Sequence, residues 1–233
     1  MEEVKEKEIA EKALGIIENG LKKEGIILPH LAGDERLSSA VNEGNVKRLV
    51  RKIAKESAFF AEKGLKISDP NEKNNREWYD FSIEGDGIFI PVNIKITSGK
   101  HPDNLSCKLG IFYALTGKRP ESAGVSNGIG WEDFAEALAK GLKEKGKDNG
   151  KDYYFLVISK NDSKDVFFSS LKTLQTLTPN ASNLPFQCRW KENRKRKERG
   201  EEEARAFVLG AFKKSLETRK EEIIKACAVV EGF

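Results

Sequence analysis

Asp80, Asn93 and Lys95 bring a carboxylate, an amide and an ammonium group into two short runs that can pair with each other. The runs lie within residues 78–104, WYDFSIEGDGIFIPVNIKITSGKHPDN. If they are antiparallel strands, matching apolar with apolar pairs Tyr79 with Ile94, Phe81 with Val92 and Ile83 with Ile90. Side chains alternate along a strand, so the other face is then fixed. It sets Asp80 directly across from Asn93, with Lys95 two residues further on. The register needs a loop of about four residues, Gly85-Asp86-Gly87-Ile88, whose two glycines suit a tight reversal. A slip of one residue would drop Asp80 among valines and isoleucines. Carboxylate and amide oxygens are hard donors, the kind that hold Mg2+.

An acidic residue on one strand and an x-Lys pair on the next resembles the PD-(D/E)xK nucleases, with Asp80 as the first element and Asn93-Ile94-Lys95 as the second. The flanking sequence is similar to the EcoRV/HincII-like branch of the type II restriction endonucleases. There, a loop leaving the catalytic strand ends in Pro-Asn before a run like NIISAYKL. Here Pro102-Asp103-Asn104, with one inserted residue, precedes Leu105-Ser106-Cys107-Lys108-Leu109. Phe186-Gln187-Cys188-Arg189-Trp190 resembles the FHVRD of that branch, and in both a long helix follows. The likeness is strongest over residues 80–109 and 186–216.

The resemblance implies an α/β fold with a mixed central sheet flanked by helices, restriction-endonuclease-like, and Mg2+-dependent double-strand cleavage at a short palindromic DNA site, leaving blunt ends. Asp80 would be the main metal ligand and the carbonyl of Ile94 another. Lys95 would orient or help deprotonate the attacking water and counter negative charge. Glu43, ahead of an IAKE turn, corresponds to a helical glutamate that helps bind the metal in that branch. Asn93 departs from the family, which usually has Asp or Glu there. Either Asn is tolerated, with Glu43 or another acid compensating, or the substitution inactivates the site. Double-stranded DNA is the implied partner and a homodimer the implied state, because a two-fold protein matches a palindrome. No organic cofactor is implied.

Two segments supply the DNA-contact candidates. The first holds Lys100, His101, Asp103 and Asn104; an Asn can read adenine bidentately, and Lys100 can reach guanine or a phosphate. The second, LPFQCRWKENRKRKER, holds Gln187, Arg189, Lys191, Arg194, Lys195 and Arg196. A dense cationic run beside a strand end suits phosphate contacts. The plain alternative for each is a solvated surface loop.

The elements that must position these residues follow from periodicity. Ile9, Ala13, Ile16, Ile17 and Leu21 predict a helix over 2–24, stopped by Gly25. Leu37, Val41, Leu49, Ile53 and Phe60 predict a second helix over 36–63. Together, residues 2–63 are read as packing helices or as a dimerisation or DNA-clamp lobe of one domain spanning 1–233. Residues 26–35 and 64–77 read as loops. Residues 105–115 read as helical or mixed, 131–145 as an amphipathic helix, and 153–158 as a central strand covered on both faces. Residues 166–174 read as a strand or strand-turn, 184–190 as a strand, and 201–228 as a helix buried through Ala204, Phe207, Val208, Ala211, Phe212 and Leu216.

The chain has 233 residues, 38% hydrophobic and 33% charged, and a net charge of +4, so clustering of charge matters more than its balance. No apolar run is long enough to span a membrane. Three scattered cysteines give no disulfide framework or metal spacing, and predict a reducing cytoplasm. Two histidines, His30 and His101, are too few for His-rich zinc sites, and neither sits in a nucleophile-elbow context. No GxxxxGK[ST] or GxGxxG motif occurs. The other readings are a repair or recombination nuclease of the same fold, a catalytically inactive DNA-binding protein, and a structural domain with solvated charge runs.

Overall fold

The structure is a computed structural model that describes residues 2–26, 28, 35–70, 78–105, 108–126, 128–144, 150–180 and 185–230. Pro29, His30, Gly33, Ser106, Cys107 and Leu184 lie outside the described residues. In chain order the elements are α1 (Glu2–Glu24), α2 (Glu35–Glu56), α3 (Ala58–Glu62), β1 (Lys66–Ser68), β2 (Phe81–Gly85), β3 (Ile88–Thr97), β4 (Asp103–Leu105), α4 (Lys108–Thr116), α5 (Trp131–Glu144), β5 (Tyr154–Ser159), β6 (Val166–Ser170), β7 (Thr178–Pro179), β8 (Phe186–Cys188) and α6 (Glu201–Val230). Short 3-10 turns lie at Glu121–Ala123 and Leu171–Thr173. The class is α/β, with a mixed sheet and flanking helices. The chain divides into two compact units, Met1–Lys100 with Gly150–Ser170 and His101–Asn149 with Leu171–Phe233.

The first unit is built on a sheet of strand order β1-β2-β3-β5-β6. β3 and β5 run parallel, from Val92 opposite Tyr154 to Thr97 opposite Ser159; the other pairs are antiparallel. Alternation turns Ile90, Val92 and Ile94 of β3 to one side. There they join Phe81 and Ile83 of β2, Leu156 of β5 and the inner faces of α1 and α2 in one core. Each such side chain contributes about 1.5–3 kcal/mol on burial. α1 buries Ala10, Ala13, Leu14, Ile17 and Leu21, and its Glu18 Oε2 accepts the N–H of Phe168 on the edge strand β6 at 3.3 Å.

Four local readings change. The hairpin keeps its expected register, Phe81 opposite Val92 and Ile83 opposite Ile90, but pairing continues to Gly85 opposite Ile88. The loop is therefore two residues, Asp86-Gly87, both at positive φ (34° and 77°), as the twist of a two-residue hairpin requires. Residues 66–68 are a strand, not loop: Ile67 pairs with Ile83, and three residues were too few to show a period. The second helix breaks at Ser57, whose extended backbone (φ −88°, ψ 119°) starts α3 and lets Phe60 turn into the core. α2 also turns inward through Val46, Val50, Ile53 and Ala54, leaving Val41 38% exposed. Gly20 sets this face: a Cβ there would stand 2.8 Å from the Ile53 side chain, so α1 and α2 meet at that point.

In the second unit, β8 lies between β4 and β7 in a small antiparallel sheet that pairs Asn104 with Gln187. α4 is buried from Leu109 to Thr116, an all-round apolar helix enclosed by its unit. α6 buries Ala204, Val208, Ala211, Phe212 and Ser215, while Phe207 and Leu216 are only partly covered. The Trp131 ring at the start of α5 stacks on Phe212 at 5.9 Å. The strand expected at 184–190 is shorter, Phe186–Cys188, and residues 166–174 form the strand-turn, β6 to Ser170 and then the 3-10 turn Leu171–Thr173.

Candidate active site

Asp80 sits where the hairpin ladder stops. The last pair of the ladder is Phe81 with Val92, and the Asp80 N–H donates to the carbonyl of that same Val92 at 2.9 Å. Two successive residues thus address one partner, which is the arrangement of a β-bulge, and a bulge re-aims side chains. Asp80 therefore does not continue the ladder opposite Asn93, and Tyr79 does not join the apolar face beside Ile94. Tyr79 instead packs edge-on against Trp78 and Phe89, at 5.1 and 5.4 Å. By alternation, Phe89 shares its face of β3 with Asn93 and Lys95.

The re-aimed carboxylate accepts the N–H of Ile94 through Oδ2 at 2.5 Å. In a strand a residue's N–H and C=O point to the same side. The Ile94 carbonyl is therefore turned toward the Asp80 side of β3, beyond the end of the β2 ladder. The bend before Asp80 is held from the core: Tyr153 Oη donates to the Trp78 carbonyl at 2.5 Å, the two rings are 5.7 Å apart, and both residues are buried.

Burial raises the Asp80 carboxyl from its ordinary 3.8 to about 6, and the negative charge of Glu43 adds to the rise. The Ile94 N–H, Lys47 and Lys95 pull the other way. Glu43 and Lys47 from α2 and Lys95 from β3 thus all act on one carboxylate. Glu43 is itself paired with Lys47 at 2.6 Å. The Asn93 side-chain oxygen is buried and accepts no hydrogen bond. Among the described residues no group of three or more His, Cys, Asp or Glu is gathered around one point. The oxygen donors on hand are instead the carboxylates of Asp80 and Glu43 and the Ile94 carbonyl turned toward the Asp80 side. Mg2+ commonly binds through one or two carboxylates and keeps several waters, so this all-oxygen set fits it.

No protein-family model matches this chain, and no curated protein matches it. The functional reading therefore rests on the residues themselves.

Asp80, Asn93, Ile94, Lys95 and Glu43 all belong to the first unit, which Lys100 closes with an exposed side chain. The other DNA-contact candidates belong to the second unit. His101 is exposed, and Asp103 is half-buried with an Oδ2 that has no hydrogen-bond partner. Asn104 Oδ1 accepts from Gln187 Nε2 at 2.9 Å and Asn180 Nδ2 at 3.2 Å. Reading an adenine through that oxygen would require one of these bonds to yield. Arg189, Lys191, Arg194, Lys195 and Arg196 are exposed. Sequence reasoning missed Lys47, Tyr153 and Asn180. Lys47 was within reach of it, because Glu43 and Lys47 are four residues apart on a helix.

Proposed function

We propose that this chain is an Mg2+-dependent endonuclease of double-stranded DNA, of the type II restriction class. The observation that carries the reading is a core-set carboxylate, Asp80, bonded to the Ile94 N–H and acted on by the charges of Glu43, Lys47 and Lys95. Asp80 and Glu43 would hold the cation, with Asn93 and the Ile94 carbonyl completing the protein's share. The bound ion supplies Lewis-acid charge at the scissile phosphate and a more acidic water. The Ile94 N–H fixes Asp80 Oδ2, and Oδ1 would be the oxygen offered to a cation. Lys95 orients the attacking water and offsets the negative charge of the transition state. Lys100, His101, Asp103, Asn104 and Gln187 supply base and groove contacts, and the cations from Arg189 to Arg196 supply phosphate contacts. A homodimer acting on a palindrome, blunt ends and a cytoplasmic location belong to the same proposal; among the described residues, no helix is long and apolar enough to cross a membrane.

One observation favours a second reading. Asn93 is neutral where the nuclease family carries an acid, so the chain can be a DNA-binding protein with a silenced site. Digestion of long duplex DNA in Mg2+, by the chain and by Asn93→Asp, separates the two. Discrete fragments from the parent support the endonuclease. Fragments from Asn93→Asp alone support the silenced form, and cleavage by neither removes the catalytic reading.

A further inference from the structure

The basic segment 189–199 carries seven cations against two acids, yet it is not a loose tail. Its backbone is pinned to the stretch 172–176 at several points. Asn193 is fully buried, and its side chain makes three hydrogen bonds. Nδ2 donates to the Arg189 carbonyl at 3.0 Å and to Thr176 Oγ1 at 3.3 Å, while Oδ1 accepts the Thr176 N–H at 3.0 Å. Gln175 Nε2 donates to the Lys195 carbonyl at 3.0 Å, and the Lys197 N–H to the Thr173 carbonyl at 2.8 Å. Arg199 is turned inward. Its side chain is 3% exposed, donates to the carbonyls of Lys172 and Leu174 at 3.0 and 2.7 Å, and lies 3.9 Å over the Phe207 ring. Lys172 in turn is held by Glu201 at 2.7 Å.

The remaining cations, Arg189, Lys191, Arg194, Lys195, Arg196 and Lys197, are exposed. Holding so many like charges in one fixed loop costs electrostatic free energy that a disordered tail would relieve by extending. A fixed array does the opposite for a polyanion: the loop is ordered beforehand, so binding sacrifices less conformational entropy. We propose that Asn193 is a positioning residue that presets this loop against the phosphate backbone of duplex DNA. The inference rests on the nucleic-acid reading of the chain, but not on cleavage.

Binding of a labelled duplex should be followed by fluorescence anisotropy in EDTA over a range of salt. The variants are Asn193→Ala, Gln175→Ala and the triple Arg194→Gln/Lys195→Gln/Arg196→Gln. The triple variant is expected to flatten the slope of log Kd against log salt by about one unit for each phosphate it no longer neutralises. Asn193→Ala keeps every charge, so it should weaken binding about tenfold with the slope unchanged. Gln175→Ala, exposed and safe for folding, should weaken it about threefold in the same manner and serves if Asn193→Ala does not fold. A triple variant with the parent's slope would overturn the phosphate role of these side chains, and folded anchor variants with the parent's affinity would overturn the positioning role. A parent that binds no duplex would sink the nucleic-acid reading and this inference with it. Binding without cleavage would leave the inference standing and remove only the enzyme.

Discussion

The Asp80 carboxylate and the Ile94 amide are joined at 2.5 Å just past the point where the β2–β3 ladder ends. A regular strand would have used that N–H in the ladder. The bulge at Asp80 and Phe81 hands it to a side chain, and so ties the acid to the strand that carries Asn93 and Lys95.

The first consequence is a pH dependence of stability. Asp80 titrates at about 6 in the fold against an ordinary 3.8, so between those values the folded chain binds more protons than the unfolded one. Stability must therefore fall as pH rises through that window, by at most about 3 kcal/mol. Asp80→Asn should melt above the parent at pH 7, and calorimetry should show the gap closing by about pH 4. A variant less stable than the parent at pH 7 would mean that the ionised carboxylate is stabilised in the fold.

Metal affinity should carry the opposite sign. A cation needs the ionised form, so Mg2+ binding by the parent should weaken about tenfold per pH unit below about 6. Titration calorimetry at pH 5, 6 and 7.5 reads this directly. A pH-independent affinity would place the metal elsewhere.

Asn93→Asp puts a negative charge where the amide oxygen is buried and accepts no hydrogen bond. Without metal it should lower stability by about 1–3 kcal/mol, and with Mg2+ it should bind at least about tenfold more tightly. Thermal melts with and without Mg2+ should therefore diverge more for the variant than for the parent. Equal shifts would show that residue 93 does not face the cation.

Tyr153→Phe removes the hydroxyl that holds the Trp78 carbonyl. The expected cost is about 1 kcal/mol, and more if the carbonyl is left buried and unpaired. Because Trp78 leads directly into the Asp80 bend, the turnover rate should fall more than the DNA affinity does. Equal losses in both would make Tyr153 merely structural.

The hairpin was legible because alternation and turn glycines both fix its register, and Phe81, Ile83, Ile90 and Val92 face the core as read. Its end was not. Nothing in Tyr79-Asp80-Phe81 announces a bulge, and that one residue moved Tyr79 to the other face and Asp80 out of line with Asn93. The inner face of α2 depended on a close approach of Gly20 to Ile53, which is a tertiary fact absent from its own periodicity. Glu43 could be picked out by resemblance, and its partner Lys47 by helical spacing. Asn193 gave no signal at all, because its role lies in bonds to Thr176 and Arg189 that only the fold creates.

The central claim is that Asp80 is the acid around which phosphodiester cleavage is organised. The most direct test compares the parent, Asn93→Asp and Asn93→Asp with Asp80→Ala on one long duplex in Mg2+, with binding checked in EDTA. The account predicts discrete fragments from the parent or from Asn93→Asp, and none from the form lacking Asp80, although it binds DNA as well as the others. Fragments that persist without Asp80 would contradict it.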